Sequence, residues 1–176
     1  HGTSNSSTSG REEGRRVAAV LVRMDAGNVG RVRVQSMGLP ADFDRQPLYW
    51  MDRVPDEQCF AWLRNAAASA RSESMQRQLV ECVGFMKRSD LVVPFLKSAL
   101  DGDMPGEVRV GAAEGLGHHP STETVRLLAR HGRSDRSAQV RRATVEALGQ
   151  HQTQEALDEL LAIARQGDAV TRHAAF

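Results

Sequence analysis

From Met75 onward the chain writes one pattern repeatedly, each time with a glycine at the same place. Met75–Ala99 reads MQRQLVECVGFMKRSDLVVPFLKSA, Val108–Arg130 reads VRVGAAEGLGHHPSTETVRLLAR and Val140–Arg165 reads VRRATVEALGQHQTQEALDELLAIAR. Aligning Gly84, Gly117 and Gly149 gives periods of 33 and 32 residues, and a fourth copy opens at Val170, 30 residues after Val140. A period of this size marks a solenoid, because one such unit cannot bury its apolar face alone and must stack on its neighbours.

Each unit divides into two segments of helical periodicity. In the first, apolar or small residues recur at i, i+3, i+4, i+7 and i+8: Val108, Gly111, Ala112, Gly115 and Leu116, then Val140, Ala143, Thr144, Ala147 and Leu148. The second segments carry Val92, Phe95, Leu96 and Ala99; Val125, Leu128 and Ala129; and Leu157, Leu160, Leu161 and Ala164. Such stripes are the face a helix buries. The repeat glycine is expected to end each first helix in the left-handed conformation that glycine adopts at little cost. Gly111 and Gly115 inside a helix each cost up to about 1 kcal/mol against alanine. Close approach of a neighbouring helix is the expected compensation.

The region before the repeats reads differently. Residues 1–13, HGTSNSSTSGREE, offer nothing apolar to bury and predict a disordered tail or expression remnant. Residues 14–54 predict a small β region. Val17–Met24 is a valine-rich run, Asp25–Asn28 supplies turn residues, and Val32 and Val34 alternate with Arg31, Arg33 and Gln35, which predicts a hairpin with a half-buried second strand. Leu48–Met51 is expected to add a third short strand. Pro55, followed by Asp56 and Glu57, opens a helix carrying Cys59, Phe60, Leu63 and Ala67. The predicted fold is thus mainly α: an α-solenoid over 55–176, with repeats near 75–100, 108–132, 140–166 and a partial one at 170–176, preceded by the small β region.

Charge narrows the partners. The 23 Lys and Arg against 22 Asp and Glu are balanced along the chain: 10 and 9 in residues 1–74, 4 and 4 in 75–105, 9 and 9 in 106–176. Phosphate binding depends on clustered cations, so no nucleic-acid partner is expected. No stretch approaches the ~20 apolar residues of a membrane span. Cys59 and Cys82 are too few for a disulfide framework. Both read as small hydrophobes within helices, a bridge between them being the alternative.

The motif V-R-x-x-A-x-x-x-L-G, carried by Val108–Arg109, Ala112 and Leu116–Gly117 and again by Val140–Arg141 and Leu148–Gly149, resembles the short bacterial HEAT-like repeats shared with phycobilisome lyase subunits. Met75–Gln76 departs from Val-Arg, as suits a less regular first repeat. The hairpin and the RVRVQS…LYWM…VP stretch resemble a bacterial exported HEAT-repeat group. With His1 in place of a methionine, this implies an exported or periplasmic protein with its signal peptide removed. The resemblance further implies that Asp103 and Asp135, each six residues before Arg109 and Arg141, pair with arginine to link repeats.

The resemblance implies a non-enzymatic scaffold that binds a partner protein or peptide along a groove lined by second helices. The alternatives it carries are a lyase-type chromophore-attachment factor and a nucleic-acid-binding solenoid. HEAT-like folds also host a di-iron hydroxylase with His-Glu pairs in its first helices, but this chain has no His-Glu dipeptide. Neither a catalytic residue, a metal ligand set nor a cofactor site is expected. His119 and His151, each two residues after a repeat glycine, stand too far apart to share a metal; the adjacent His118 and His119 read as solvated turn residues, His131 as a complement to a helix C-terminus, and the row Glu81, Glu114, Glu146 as a solvated face. Trp50 and Trp62 are assigned to packing of the hairpin onto the first helices. Lys97, Arg126 and Arg130 are the expected contacts to an acidic partner. The chain stops at Phe176 where the pattern continues, which predicts a longer protein or an open apolar edge for homo-oligomerisation.

Overall fold

A computed structural model describes residues 18–36, 49, 54–166 and 169–175. The expected tail 1–13, the third strand at Leu48–Met51 apart from Tyr49, Trp50 and Phe176 lie outside the described residues. Strands β1 (Ala18–Asp25) and β2 (Asn28–Ser36) precede eight helices: α1 (Asp56–Ala68), α2 (Glu73–Gly84), α3 (Ser89–Asp101), α4 (Gly106–Leu116), α5 (Thr122–Ser134), α6 (Ala138–Gly149), α7 (Gln154–Gln166) and α8 (Ala169–Ala174).

The two strands pair antiparallel, with Val20 opposite Val34 and Val22 opposite Val32 on one face and Leu21 opposite Arg33 on the other. Ala26 and Gly27, with φ of 50° and 79°, make the tight turn; two consecutive positive φ values match the right-handed twist of the strands they join. Val32 is buried, and Val20, Val29 and Val34 pack beside it against the helical core. The sequence expectation of a half-buried second strand therefore holds.

Helices α2, α4 and α6 are the first helices of the three repeats, and α3, α5 and α7 the second. Serine side chains start several of them: Ser72, Ser121 and Ser137 accept from the backbone N–H of Met75, Thr124 and Val140, which satisfies donors that a helix start leaves open. The first helices stack directly on one another. In α4 every residue except Gly106, Glu107 and Glu114 is buried, because α2 and α6 flank it while α3 packs across it. Both predicted first-helix stripes, from Val108 to Leu116 and from Val140 to Leu148, are buried in full.

Two expectations need correction. Gly84, Gly117 and Gly149 do not take the left-handed conformation: Gly117 has φ −57°, and among the described glycines only Gly27 has a positive φ. Gly84 is there for space. A Cβ on it would lie 2.8 Å from the carbonyl oxygen of Gly115, so α2 and α4 touch main chain to main chain. One on Gly111 would meet the Arg77 carbonyl oxygen at 2.6 Å, which is the close approach expected to offset its poor helix propensity. The second correction concerns α7. Its buried residues are Ala156 and Ile163, whereas Leu157 and Leu161 remain 48% and 43% exposed. The equivalent Val125 and Ala129 of α5 are buried, because α7 lies on them. No described second helix follows α7 to do the same.

Candidate interaction surface

The outer row of second helices carries the three residues expected to meet a partner. Lys97, Arg126 and Arg130 have side chains 44%, 73% and 60% exposed. Each is already engaged by an acid of the adjacent second helix. Lys97 Nζ lies 2.6 Å from Glu123 and Arg126 Nε 3.4 Å from Glu155, while Arg130 reaches back to Asp101 and Arg133 forward to Glu159. The result is a ladder of alternating charge running α3–α5–α7. Exposed pairs of this kind contribute at most about 1 kcal/mol each, so their larger effect is to pattern the surface. Sequence reasoning found the bases and missed the acids. The signal was present: Glu123 follows Lys97 by 26 residues, and Glu159 follows Arg133 by the same step.

Beneath the ladder lies a buried polar cluster. Arg109 of α4 pairs with Asp135, both nearly inaccessible. The Asp135 carboxylate also accepts from the Ser137 backbone N–H at 2.8 Å and faces His131 Nδ1 at 2.9 Å. His131 Nε2 in turn lies 2.8 Å from Asp101. Burial alone would raise the Asp135 carboxyl, but the Ser137 N–H, His131 and Arg109 outweigh it and hold the group below the ordinary carboxylate value. An Asp/Arg link joins one repeat to the next, but with a different partner from the one six residues on: Asp135 pairs with Arg109 of the preceding repeat, while Arg141 donates to the Asp135 main-chain carbonyl at 2.8 Å. Asp103, by contrast, is fully exposed and only approaches Arg136 at 3.7 Å. His131 does more than complement a helix end, since it ties α3 to the loop after α5.

His119 is not a solvated turn residue, and neither is His151. They are 5% and 3% exposed, and each donates Nε2–H to a main-chain carbonyl of the preceding repeat: His119 to Gly84 at 2.9 Å, His151 to Leu116 at 3.1 Å. A carbonyl only accepts, so Nε2 carries the proton, and His119 Nδ1 is left to accept from Ser89 Oγ at 2.8 Å. Burial pushes both imidazoles below their ordinary value. These histidines are inter-repeat staples that sequence spacing had placed two residues after the glycine. His118 is exposed, as expected, and rests on Phe85 with ring centroids 4.5 Å apart.

The acidic row is likewise only partly solvated. Glu146 is exposed and pairs with Arg142, but Glu114 is held at 2.7 Å by Arg77 of the previous first helix, and Arg77 also approaches Glu107 at 3.6 Å. Glu81 is half-buried next to this group, and burial with the Glu114 charge raises its carboxyl. Cys59 is half-buried, Cys82 is buried, and both are free thiols. Burial pushes the Cys82 thiol up to about 12, which makes it a hydrophobe and not a nucleophile. Trp62 stays 43% exposed, beside Met24 and Val29 in an open cleft of about 260 Å³ between the hairpin and α1.

Among the described residues no group of three or more His, Cys, Asp or Glu is placed to hold a metal ion. No described helix is long and apolar enough to cross a membrane. The family profile described as HEAT repeats matches residues 93–176, from within α3 to the end of the chain. No curated protein matches the sequence.

Proposed function

We propose, for a chain whose helical hairpins are HEAT-like repeats, that it works as a non-enzymatic scaffold and binds a protein or peptide partner on its second-helix face. HEAT repeats are commonly protein-interaction scaffolds, and a rigid row of stacked hairpins offers an extended surface without requiring any residue to do chemistry. The observation that carries the reading is the ladder on α3, α5 and α7. Lys97 on α3 and Arg126 and Arg130 on α5 lie along this row of second helices, each loosely held by an exposed or half-exposed acid of a neighbouring helix. An acidic partner segment exchanges Glu123, Glu155 and Asp101 for its own carboxylates at little net cost, because exposed ion pairs are weak. The resemblance to phycobilisome-lyase-type repeats and a bacterial, exported origin belong to the same reading. No observation among the described residues favours a chromophore-attachment factor or a nucleic-acid binder.

The test is affinity capture from the host lysate followed by the charge reversals Arg126→Glu and Arg130→Glu. A partner retained by the native chain and lost with both reversals supports this face as the binding surface. Retention unchanged by the reversals removes it.

A further inference from the structure

We propose that His131 gates Arg130: the neutral imidazole keeps the arginine on the protein, and the protonated imidazole releases it to an acidic partner. The proposal rests on the second-helix face being the binding surface, and it adds the control of one contact there. Two nitrogens meet at one oxygen. Arg130 Nη2 and His131 Nε2 both reach Asp101 Oδ1, the ring nitrogen at 2.8 Å, and the two nitrogens stand 3.4 Å apart. The His131 side chain is 13% exposed, against 36% for Asp101 and 60% for Arg130. Solvent protons therefore reach the ring, and the arginine is the member free to move outward.

The far side of the ring decides which nitrogen titrates. His131 Nδ1 lies 2.9 Å from Asp135 Oδ2. Asp135 is buried, accepts from the Ser137 backbone N–H and pairs with Arg109, surroundings that favour its ionised form. An ionised carboxylate only accepts, so Nδ1 carries a proton in either state of the ring. Nε2 is then the atom that gains or loses one. Bare, it is an acceptor, and Arg130 Nη2 has both this nitrogen and Asp101 Oδ1 to donate to. Protonated, it donates to Asp101 Oδ1 and sets a positive ring beside the guanidinium. Like charges at this distance repel. The ring is anchored by Asp135, so Arg130 is the cation that leaves. The other charges on helices around the ring are engaged elsewhere: Arg109 of α4 with Asp135, Arg141 of α6 with the Asp135 main-chain carbonyl, and Glu159 of α7 with Arg133. Histidine as a residue type changes charge between about pH 5 and 8. An acidic segment should bind this face more tightly toward the lower end of that range.

Two measurements on the 176-residue chain test this. Nitrogen-detected NMR from about pH 8 to about pH 5.5, across the histidine range, should show a neutral His131 protonated on Nδ1. The Arg130 guanidinium signals should move with the ring. Fluorescence anisotropy with a labelled oligo-aspartate peptide at low salt should show affinity rising about three- to fivefold over the same range, the weight of one exposed ion pair. His131→Gln should flatten the rise. Asp101→Asn, at a carboxylate partly open to solvent, provides a second variant should that one disturb the fold. It should bind at about pH 8 as tightly as the native chain at about pH 5.5, because the contact that holds Arg130 back is gone. A peptide that binds at neither pH refutes the acidic-partner reading, and the Arg130 signals then judge the gate alone. A neutral ring protonated on Nε2, Arg130 signals that ignore the ring, or an affinity rising as much in H131Q as in the native chain overturns the proposal.

Discussion

Gly84 and Gly149 occupy the same place in their repeats and should answer an added methyl group in opposite ways. In Gly84→Ala the new Cβ lies 2.8 Å from the oxygen and 2.9 Å from the carbonyl carbon of Gly115. Both are main-chain atoms and cannot rotate away. The Gly115 Cα lies closer still, and carbon contacts settle at roughly 3.5–4.0 Å, so α2 and α4 must part by about an ångström or more. That opens the seam in which Leu79, Val83, Ala112 and Leu116 are buried. Overpacking of this kind costs about 1–3 kcal/mol, or more against an immovable backbone, and alanine recovers at most about 1 kcal/mol of helix propensity. The expected net loss is about 2 kcal/mol, a fall in Tm of roughly 4–8 °C for a chain of this size. Gly149 has nothing within 4 Å of an added Cβ, so Gly149→Ala should gain about 0.5–1 kcal/mol from propensity alone. Gly117→Ala, whose Cβ meets the movable side chain of Gln150 at 2.8 Å, should fall between them. Urea unfolding followed by far-UV circular dichroism orders the three. If Gly84→Ala proves as stable as Gly149→Ala, the main-chain contact does not set the helix spacing and the argument fails.

Further outcomes follow from the polar contacts. Asp135→Ala should destabilise by about 3–5 kcal/mol, because it leaves Arg109 buried and unpaired, whereas Arg126→Ala on the exposed ladder should change stability by no more than about 1 kcal/mol; equal effects in urea unfolding would refute the distinction. His119 and His151 are neutral in the fold and bind protons more readily once unfolded. Stability should therefore be full above their ordinary value of 6.5 and decline as pH falls below it. The double variant His119→Gln/His151→Gln should flatten that decline, and a profile unchanged by it would show that these rings are not its source. Cys82 should react with a thiol reagent only on unfolding, and more slowly than the half-buried Cys59; equal rates in the native chain would count against the burial described.

What was legible in the sequence was whatever repeats. The period located the first and second helices, and the stripes from Val108 to Leu116 and from Val140 to Leu148 named buried residues correctly because apolar spacing reports burial directly. The function of the repeat glycine was not legible. Left-handed termination and close packing both select glycine, and only the distance from Gly84 to Gly115 separates them. The histidines were misread for a similar reason. A polar residue in a turn is exposed by default, and nothing local shows that the carbonyls of Gly84 and Leu116 wait on the preceding repeat. For α7, periodicity gave the helix but not which side is covered, since that depends on the neighbour and not on α7. The candidate surface was half visible: Lys97, Arg126 and Arg130 could be placed on one face, while the acids that hold them belong to other repeats and needed the three-dimensional register.

The enclosure of α4 has a consequence for how the protein comes apart. Stability in a stacked array is distributed by position, and a unit opens only after those beside it have been shed. The amides of α4 should exchange with solvent at the rate of complete unfolding, and those of the six-residue α8, in which only Thr171 is buried, should exchange sooner. Opening is thus expected to run as an ordered peeling toward the middle, with the central helix as the last piece of order to dissolve.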